Sequence, residues 1–180
     1  MLRQTHSALE WLLEWATIAL MLVLTIVVVV GVTYRLAGNS LSWYDEIASV
    51  LLAWITYYGA ALAALKRRHI GFDSVLLALP LQLRMASLVA AEVLVIGFFV
   101  LMTWAGLEVL AVLEGMHLVA LNWMPIQITQ SVIPIGGALF ILCELVSLPD
   151  YWRMTADGKS LEHAEIEEEV EQELKHAGQR

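Results

Sequence analysis

The sequence predicts an all-α integral membrane protein with four transmembrane helices, and two observations carry this prediction. The first is composition, because 59% of the 180 residues are hydrophobic and only 16% are charged, with a mean hydropathy of +0.72, well beyond a typical soluble domain. The second is that residues 15–34 and 47–65 contain no formally charged side chain. Each run can cross a hydrocarbon core of about 30 Å as a helix. A soluble enzyme is excluded, and the loops and tail are too short for a separate catalytic domain.

Four apolar segments define the predicted spans, at about 12–34, 47–65, 85–107 and 125–148. The third is interrupted only by Glu92, and no charge occurs between Leu118 and Cys143. Pro125 suits the first turn of the fourth helix. Pro134 leaves the carbonyl of residue 130 without its helical donor, which predicts a bend. Residues 1–150 are therefore expected to form one four-helix membrane domain.

The distribution of Lys and Arg predicts that both termini are cytoplasmic. With four spans, the amino terminus, the loop between helices two and three and the carboxyl tail share one side of the membrane, and translocated loops avoid basic residues. The opposite side keeps only Arg35. The shared side holds the nine other basic residues, which are Arg3, Lys66, Arg67, Arg68, Arg84, Arg153, Lys159, Lys175 and Arg180.

Two polar segments are expected to lie outside the spans. Between helices two and three, Asp73 or Ser74 can cap a short helix that Pro80 limits, and its leucine-rich composition suits the inner membrane surface. Residues 151–180 form an acidic tail. From Leu161 onward, apolar residues recur every four positions among glutamates, which predicts a solvated helix with one thin apolar stripe.

The second helix carries a stripe of small side chains at spacings of four and three residues. Such a stripe lets another helix approach closely. Beside it stand Trp54, Tyr57 and Tyr58, at a depth more typical of packing against a partner than of interfacial anchoring. The predicted helix-packing residues are Ser49, Ala53, Thr56, Ala60 and Ala63.

Three polar side chains are expected inside the membrane, namely Glu92, Gln127 and Gln130. Glu92 can accept hydrogen bonds from a neighbouring helix or a basic loop residue, or it can serve as the proton site of a small exporter. The two glutamines can bond within this chain or to another subunit, and the sequence leaves both readings open.

Cofactors and metals are not expected. The five histidines provide no facing pair at mid-depth for haem, and no Cys or His cluster has metal-ligand spacing. Phosphate loops and nucleophile elbows are absent as well. Neither an enzymatic activity nor a nucleic-acid partner is therefore expected.

One stretch carries a family resemblance. Residues 43–48 read Trp-Tyr-Asp-Glu-Ile-Ala, Trp54 and Gly59 follow, and residues 66–73 read Lys-Arg-Arg-His-Ile-Gly-Phe-Asp. This pattern resembles the small permease subunit, the DctQ-like component, of tripartite ATP-independent periplasmic (TRAP) transporters. The resemblance extends over about residues 10–150, and the acidic tail lies outside it.

The resemblance implies a multi-pass subunit of the bacterial inner membrane that acts as a scaffold. A periplasmic binding protein would deliver an organic anion, such as a dicarboxylate or sugar acid, and a large membrane permease subunit would carry it inward with sodium. The residues implied in assembly or coupling are Trp43, Asp45, Glu46, Trp54, Gly59, His69 and Asp73. Two alternatives stay open: the membrane anchor of a respiratory-type enzyme complex, and a stand-alone proton-coupled exporter.

Overall fold

The computed structural model describes residues 2–67 and 79–157, with side chains from His6 onward. The predicted interfacial helix falls largely on residues 68–78 and the acidic tail on residues 158–180, so both lie outside the described residues, as do His69 and Asp73. The helices are α1 (Leu2–Leu36), α2 (Tyr44–Leu65), α3 (Leu81–Val112), α4 (Ile126–Gln130) and α5 (Val132–Ala156).

The prediction of an all-helical chain with four candidate spans is confirmed. Four helices are long and apolar enough to cross a membrane, and residues 2–67 and 79–157 contain no strand, only an isolated β-bridge between His117 and Pro125. The candidate spans are His6–Leu36, Tyr44–Leu65, Leu81–Val112 and Ile126–Ala156. Each is longer than its predicted segment, because charged residues near the helix ends do not stop the helices.

The fourth span is interrupted near its start. The helix breaks at Ser131, three residues before Pro134, where the missing proline N–H removes one bond of the helical ladder. α5 then continues through Pro149 to Ala156, beyond the predicted end at residue 148.

The helices pack in the order α1, α2, α5, α3. α2 packs against both α1 and α5, and α3 packs against α5, so α1 and α3 occupy the two edges. One end of the assembly, where α1 begins and α2 and α5 end, is called the terminal end below. The opposite end, with the turns after α1 and α3, is called the loop end.

The interior is thin and lies mainly between α1, α2 and α5. Phe99 of α3 stacks on Phe140 of α5, with ring centroids 3.6 Å apart, and joins α3 to this core. The buried core residues are Leu13, Ala61, Ala64, Leu65, Phe140 and Cys143.

Glycines allow the helices to approach closely. A Cβ atom on Gly136 of α5 would lie 2.6 Å from the Cβ of Tyr57 in α2, and one on Gly137 would collide with Thr103 of α3. Such distances are too short for any residue with a side chain. These contacts fix the spacing of the helices and hence the geometry at both ends.

Candidate functional site

A buried ionic cluster closes the terminal end. α2 ends at Leu65 and is followed by Lys66 and Arg67, and the φ of 52° places Arg67 in the left-handed region. This conformation is uncommon for a residue with a side chain. The two consecutive basic side chains leave α2 for different neighbours: Lys66 contacts α1, whereas Arg67 contacts α3 and α5.

The guanidinium of Arg67 connects α3 and α5 to the end of α2. Its Nη1 contacts the Oε1 of Glu92 on α3 and lies 2.8 Å from the Oε1 of Glu144 on α5. Its Nε donates to Ser147 Oγ at 2.9 Å, and its Nη2 donates to the Glu144 carbonyl at 3.1 Å. The Tyr151 ring lies beneath it, with its centroid 4.7 Å from Cζ. Together these five residues form what is called the Arg67 cluster.

The cluster is well shielded. Glu144 is 4% exposed and Glu92 is 9% exposed, and Ser147 is buried with its hydroxyl within 3.2 Å of the Ala64 carbonyl. Charge-assisted hydrogen bonds of this kind are stronger than neutral ones, and a buried charge requires such partners. Arg67 therefore connects α2, α3 and α5 at one point.

A second tie joins α1 to the end of α2. Lys66 Nζ lies 3.0 Å from Glu10 and 2.5 Å from Glu14, both on α1. The hydrogen bond that Lys66 donates to Glu14, followed by the one to Glu10, stabilises the ammonium and raises the pKa of Lys66. Since the folded pKa is raised, this contribution persists at neutral pH and is lost only as the pH rises through the raised pKa.

At the loop end, Glu46 holds the turn between α3 and α4. Its Oε1 accepts from the backbone N–H of Val119 at 3.1 Å, and its Oε2 accepts from that of Ala120 at 3.0 Å. The turn is itself ordered by backbone bonds, including one from Leu118 N–H to the Met124 carbonyl. The Glu46 carboxylate therefore fixes the loop against the start of α2, in addition to its favourable position in the first helical turn.

Replacing Glu46 by alanine is expected to loosen this loop without unfolding the chain. The change removes two hydrogen bonds from loop amides to the carboxylate, and because Val119 is exposed water can replace one of them. The local cost is therefore about 1 kcal/mol. We expect faster hydrogen–deuterium exchange at Val119 and Ala120. Asp45→Asn is the matched control, because Asp45 is the exposed neighbour in the same turn. Unchanged exchange at both amides in Glu46→Ala would show that the bonds do not hold the loop.

Of the other predicted assembly residues, Trp43 comes just before α2 and Asp45, Trp54 and Gly59 lie on it, whereas His69 and Asp73 are outside the described residues. Trp43 is half-buried at the helix start, Asp45 is exposed, and Trp54 stacks on Tyr58 with centroids 5.8 Å apart. A Cβ on Gly59 would meet nothing within 4 Å. Their roles in assembly stay predictions.

The small-residue stripe of α2 is only partly covered by this chain. Ser49 and Thr56 are exposed, and each hydroxyl donates back to its own helix, to the carbonyls of Asp45 and Leu52. Ala53, Ala60 and Ala63 are half-buried. Fully buried positions of α2 are instead Tyr44, Ala61, Ala64 and Leu65, so the stripe stays available to another helix.

The intramembrane polar residues have different surroundings. Glu92 accepts a hydrogen bond from Arg67, a residue of the basic segment, which is the structural reading left open above. Gln127 Nε2 donates to the Leu110 carbonyl of α3 at 3.0 Å, a bond within the chain. Gln130 is half-buried, and no hydrogen bond joins its side chain to the described residues.

Sequence reasoning allowed a basic loop residue as a partner of Glu92, but it did not predict the contacts of Arg67 with α5. Glu144 lies near the end of the predicted fourth span, where a charged residue needs no special explanation, yet it is buried in the cluster. A usable signal exists: Glu144, Ser147 and Tyr151 are spaced three and four residues apart, which puts them on one helix face. No group of three or more His, Cys, Asp or Glu within residues 2–67 and 79–157 could hold a metal ion.

The described structure is that of a multi-pass membrane protein in which buried polar side chains connect one helix to another. A comparison with protein families identifies the family of this chain. Residues 24–154 match the family described as tripartite ATP-independent periplasmic transporters, DctQ component, and the chain belongs to this family. The family is a transporter component rather than an enzyme family, and membership implies the small subunit of a TRAP transporter. The comparison with curated proteins returns no match.

Proposed function

We propose that the chain is the scaffold subunit of a sodium-coupled TRAP transporter that imports an organic anion, such as a dicarboxylate or sugar acid. The DctQ family works with a large permease and a periplasmic binding protein, and these are the proposed partners here. The observation that supports this proposal is the family match over residues 24–154. In this proposal the large subunit carries the substrate and sodium, and this chain supports it in the bacterial inner membrane.

The contacts of Arg67, Lys66 and Glu46, together called the polar ties, support a scaffold role. Arg67 joins α2 to α3 and α5, Lys66 joins α2 to α1, and Glu46 fixes the loop after α3. A scaffold beside a transport domain that moves needs helices whose ends stay in contact with one another. With both termini in the cytoplasm, as the basic residues predict, the Arg67 and Lys66 ties lie on the cytoplasmic side and the Glu46 tie on the periplasmic side.

The proposed contact with the large subunit is the open face of α2. Its stripe combines small and hydroxyl side chains, which pack better against a helix than against lipid, and α2 is the least apolar of the four candidate spans. α1 and α3 are more apolar and are better suited to lipid. Seven residues are proposed to contribute to assembly or coupling, namely Trp43, Asp45, Glu46, Trp54, Gly59, His69 and Asp73.

Affinity purification in mild detergent tests the proposed partnership. The tagged chain, expressed together with the permease of its own transporter, is expected to retain that permease at a one-to-one ratio. Recovery with a haem-containing enzyme would instead indicate a respiratory anchor, and recovery alone under all conditions would contradict the scaffold role.

Gly59→Leu is expected to break the complex while leaving the free chain folded. A Cβ atom at this position meets nothing within 4 Å in the isolated chain, and leucine is a better helix former than glycine. The bulk of the leucine would fill the face where a helix is proposed to approach. Gly97→Leu on α3 is the control, since that site is also open. Equal permease recovery in both variants would remove Gly59 from the proposed interface.

A further inference from the structure

The charges of the Arg67 cluster do not balance if every group is ionised. Arg67 supplies one positive charge, whereas Glu92 and Glu144 supply two negative ones, and both Oε1 atoms contact the same guanidinium nitrogen. An uncompensated negative charge would then remain in a shielded site, which is strongly unfavourable. Two neighbouring carboxylates relieve this repulsion by retaining a proton.

Two buried oxygen atoms identify where such a proton can be bound. The Oε2 atoms of Glu92 and Glu144 are inaccessible to solvent and accept no hydrogen bond from the described residues. The two carboxyl groups are direct neighbours, because both Oε1 atoms contact the same Nη1 atom of Arg67. A carboxyl group has an O–H donor only when it is protonated, so one added proton supplies the donor that the pair lacks.

Among the described residues, Arg67 is the cation that forms ion pairs with Glu92 and Glu144. On α5, the buried Cys143 is adjacent to Glu144, and the Tyr151 ring lies against Arg67. On α3, Arg84 donates to the backbone carbonyls of Thr155 and Leu79. The Lys66 ammonium is held by the carboxylates of α1, where His6 also pairs with Glu10.

We propose that Glu92 and Glu144 form a proton-binding site that holds one proton between them at neutral pH. One carboxyl group donates this proton to the other, and the remaining negative charge pairs with Arg67. The cluster is then neutral overall, and α3 and α5 are joined by a carboxyl–carboxylate hydrogen bond as well as through the guanidinium. This proposal goes beyond the scaffold role and does not depend on it.

Infrared spectroscopy of the full chain in detergent micelles tests the site directly. At pH 7 the wild type is expected to show the C=O stretch of a protonated carboxyl group, with a shift in D₂O. Glu92→Gln and Glu144→Gln should each lose this band, because the remaining carboxylate then pairs alone with Arg67. Glu108→Gln, an exposed position on α3, should keep it.

Several results would overturn the proposal. They are absence of the band in the wild type, its persistence in both variants, or its loss in only one of them, since a shared proton requires both residues. If the wild type lacked the protonated band and unfolded less readily in Na⁺ than in choline, the site would bind a metal cation instead.

The pH dependence of unfolding provides a second measurement if a variant fails to fold. The folded chain would hold a proton that the unfolded chain releases at neutral pH, so wild-type stability should fall as pH rises. The band should decline over the same pH range. A decline in stability without loss of the band, or a band unaffected by alkaline pH up to unfolding, would contradict a titrating pair.

Discussion

Replacing Arg67 by methionine is expected to lower the free energy of unfolding by about 3 to 5 kcal/mol at neutral pH, because removing one partner of a buried ionic group leaves the others uncompensated. Glu92 and Glu144 would keep their burial but lose the guanidinium that contacts both. The Ser147 hydroxyl and the Glu144 carbonyl would also lose a donor. Thermal or denaturant unfolding in detergent micelles measures the loss.

Two further variants isolate the cause. Arg153→Met, an exposed position in the last turn of α5, controls for loss of a basic side chain at the same end and should change stability little. The triple variant Arg67→Met, Glu92→Gln, Glu144→Gln removes all the charges and should recover part of the loss, because a neutral cluster has no uncompensated ion. If Arg67→Met were as stable as Arg153→Met, the cluster would not hold the helices.

The second large effect is expected at the contact between α2 and α5. Gly136→Ala adds a Cβ that would lie 2.6 Å from the Tyr57 Cβ and 2.7 Å from its Cδ1. The Tyr57 Cβ is attached directly to the backbone and cannot rotate away, so the helices must separate. Overpacking of this kind costs about 1 to 3 kcal/mol, which outweighs the gain in helix propensity of up to about 1 kcal/mol.

Gly97→Ala supplies the matched control for this contact. The same substitution on α3 meets no atom within 4 Å and should leave stability unchanged or slightly raised. Unfolding of both variants under identical conditions separates packing from propensity. A Gly136→Ala protein at least as stable as Gly97→Ala would mean that α2 and α5 do not approach as closely as described.

The sequence was sufficient to predict the number and type of the helices. Runs without charge are a direct consequence of the cost of ions in hydrocarbon, so residues 15–34 and 47–65 indicate spans without any knowledge of packing. The interruption before Pro134 also follows from local chemistry, because proline lacks the N–H that a helix requires at that position.

The polar ties could not be predicted in the same way. Arg67 stands among four consecutive basic or titratable residues, and periodicity does not tell which of them turns inward once the helix has ended. Its partners are 25 and 77 residues away along the chain, and the loop that Glu46 binds is 73 residues away. Such pairings depend on the helix order α1, α2, α5, α3, which hydrophobic patterns alone do not specify.

Sodium-driven uptake in liposomes tests the central claim most directly. The purified chain is reconstituted alone and together with the permease of its own transporter, in both cases with the matching binding protein and its organic anion. The scaffold account predicts uptake only when the permease is present, and none above empty liposomes for the chain alone. Sodium-dependent uptake by the chain without the permease would contradict the account.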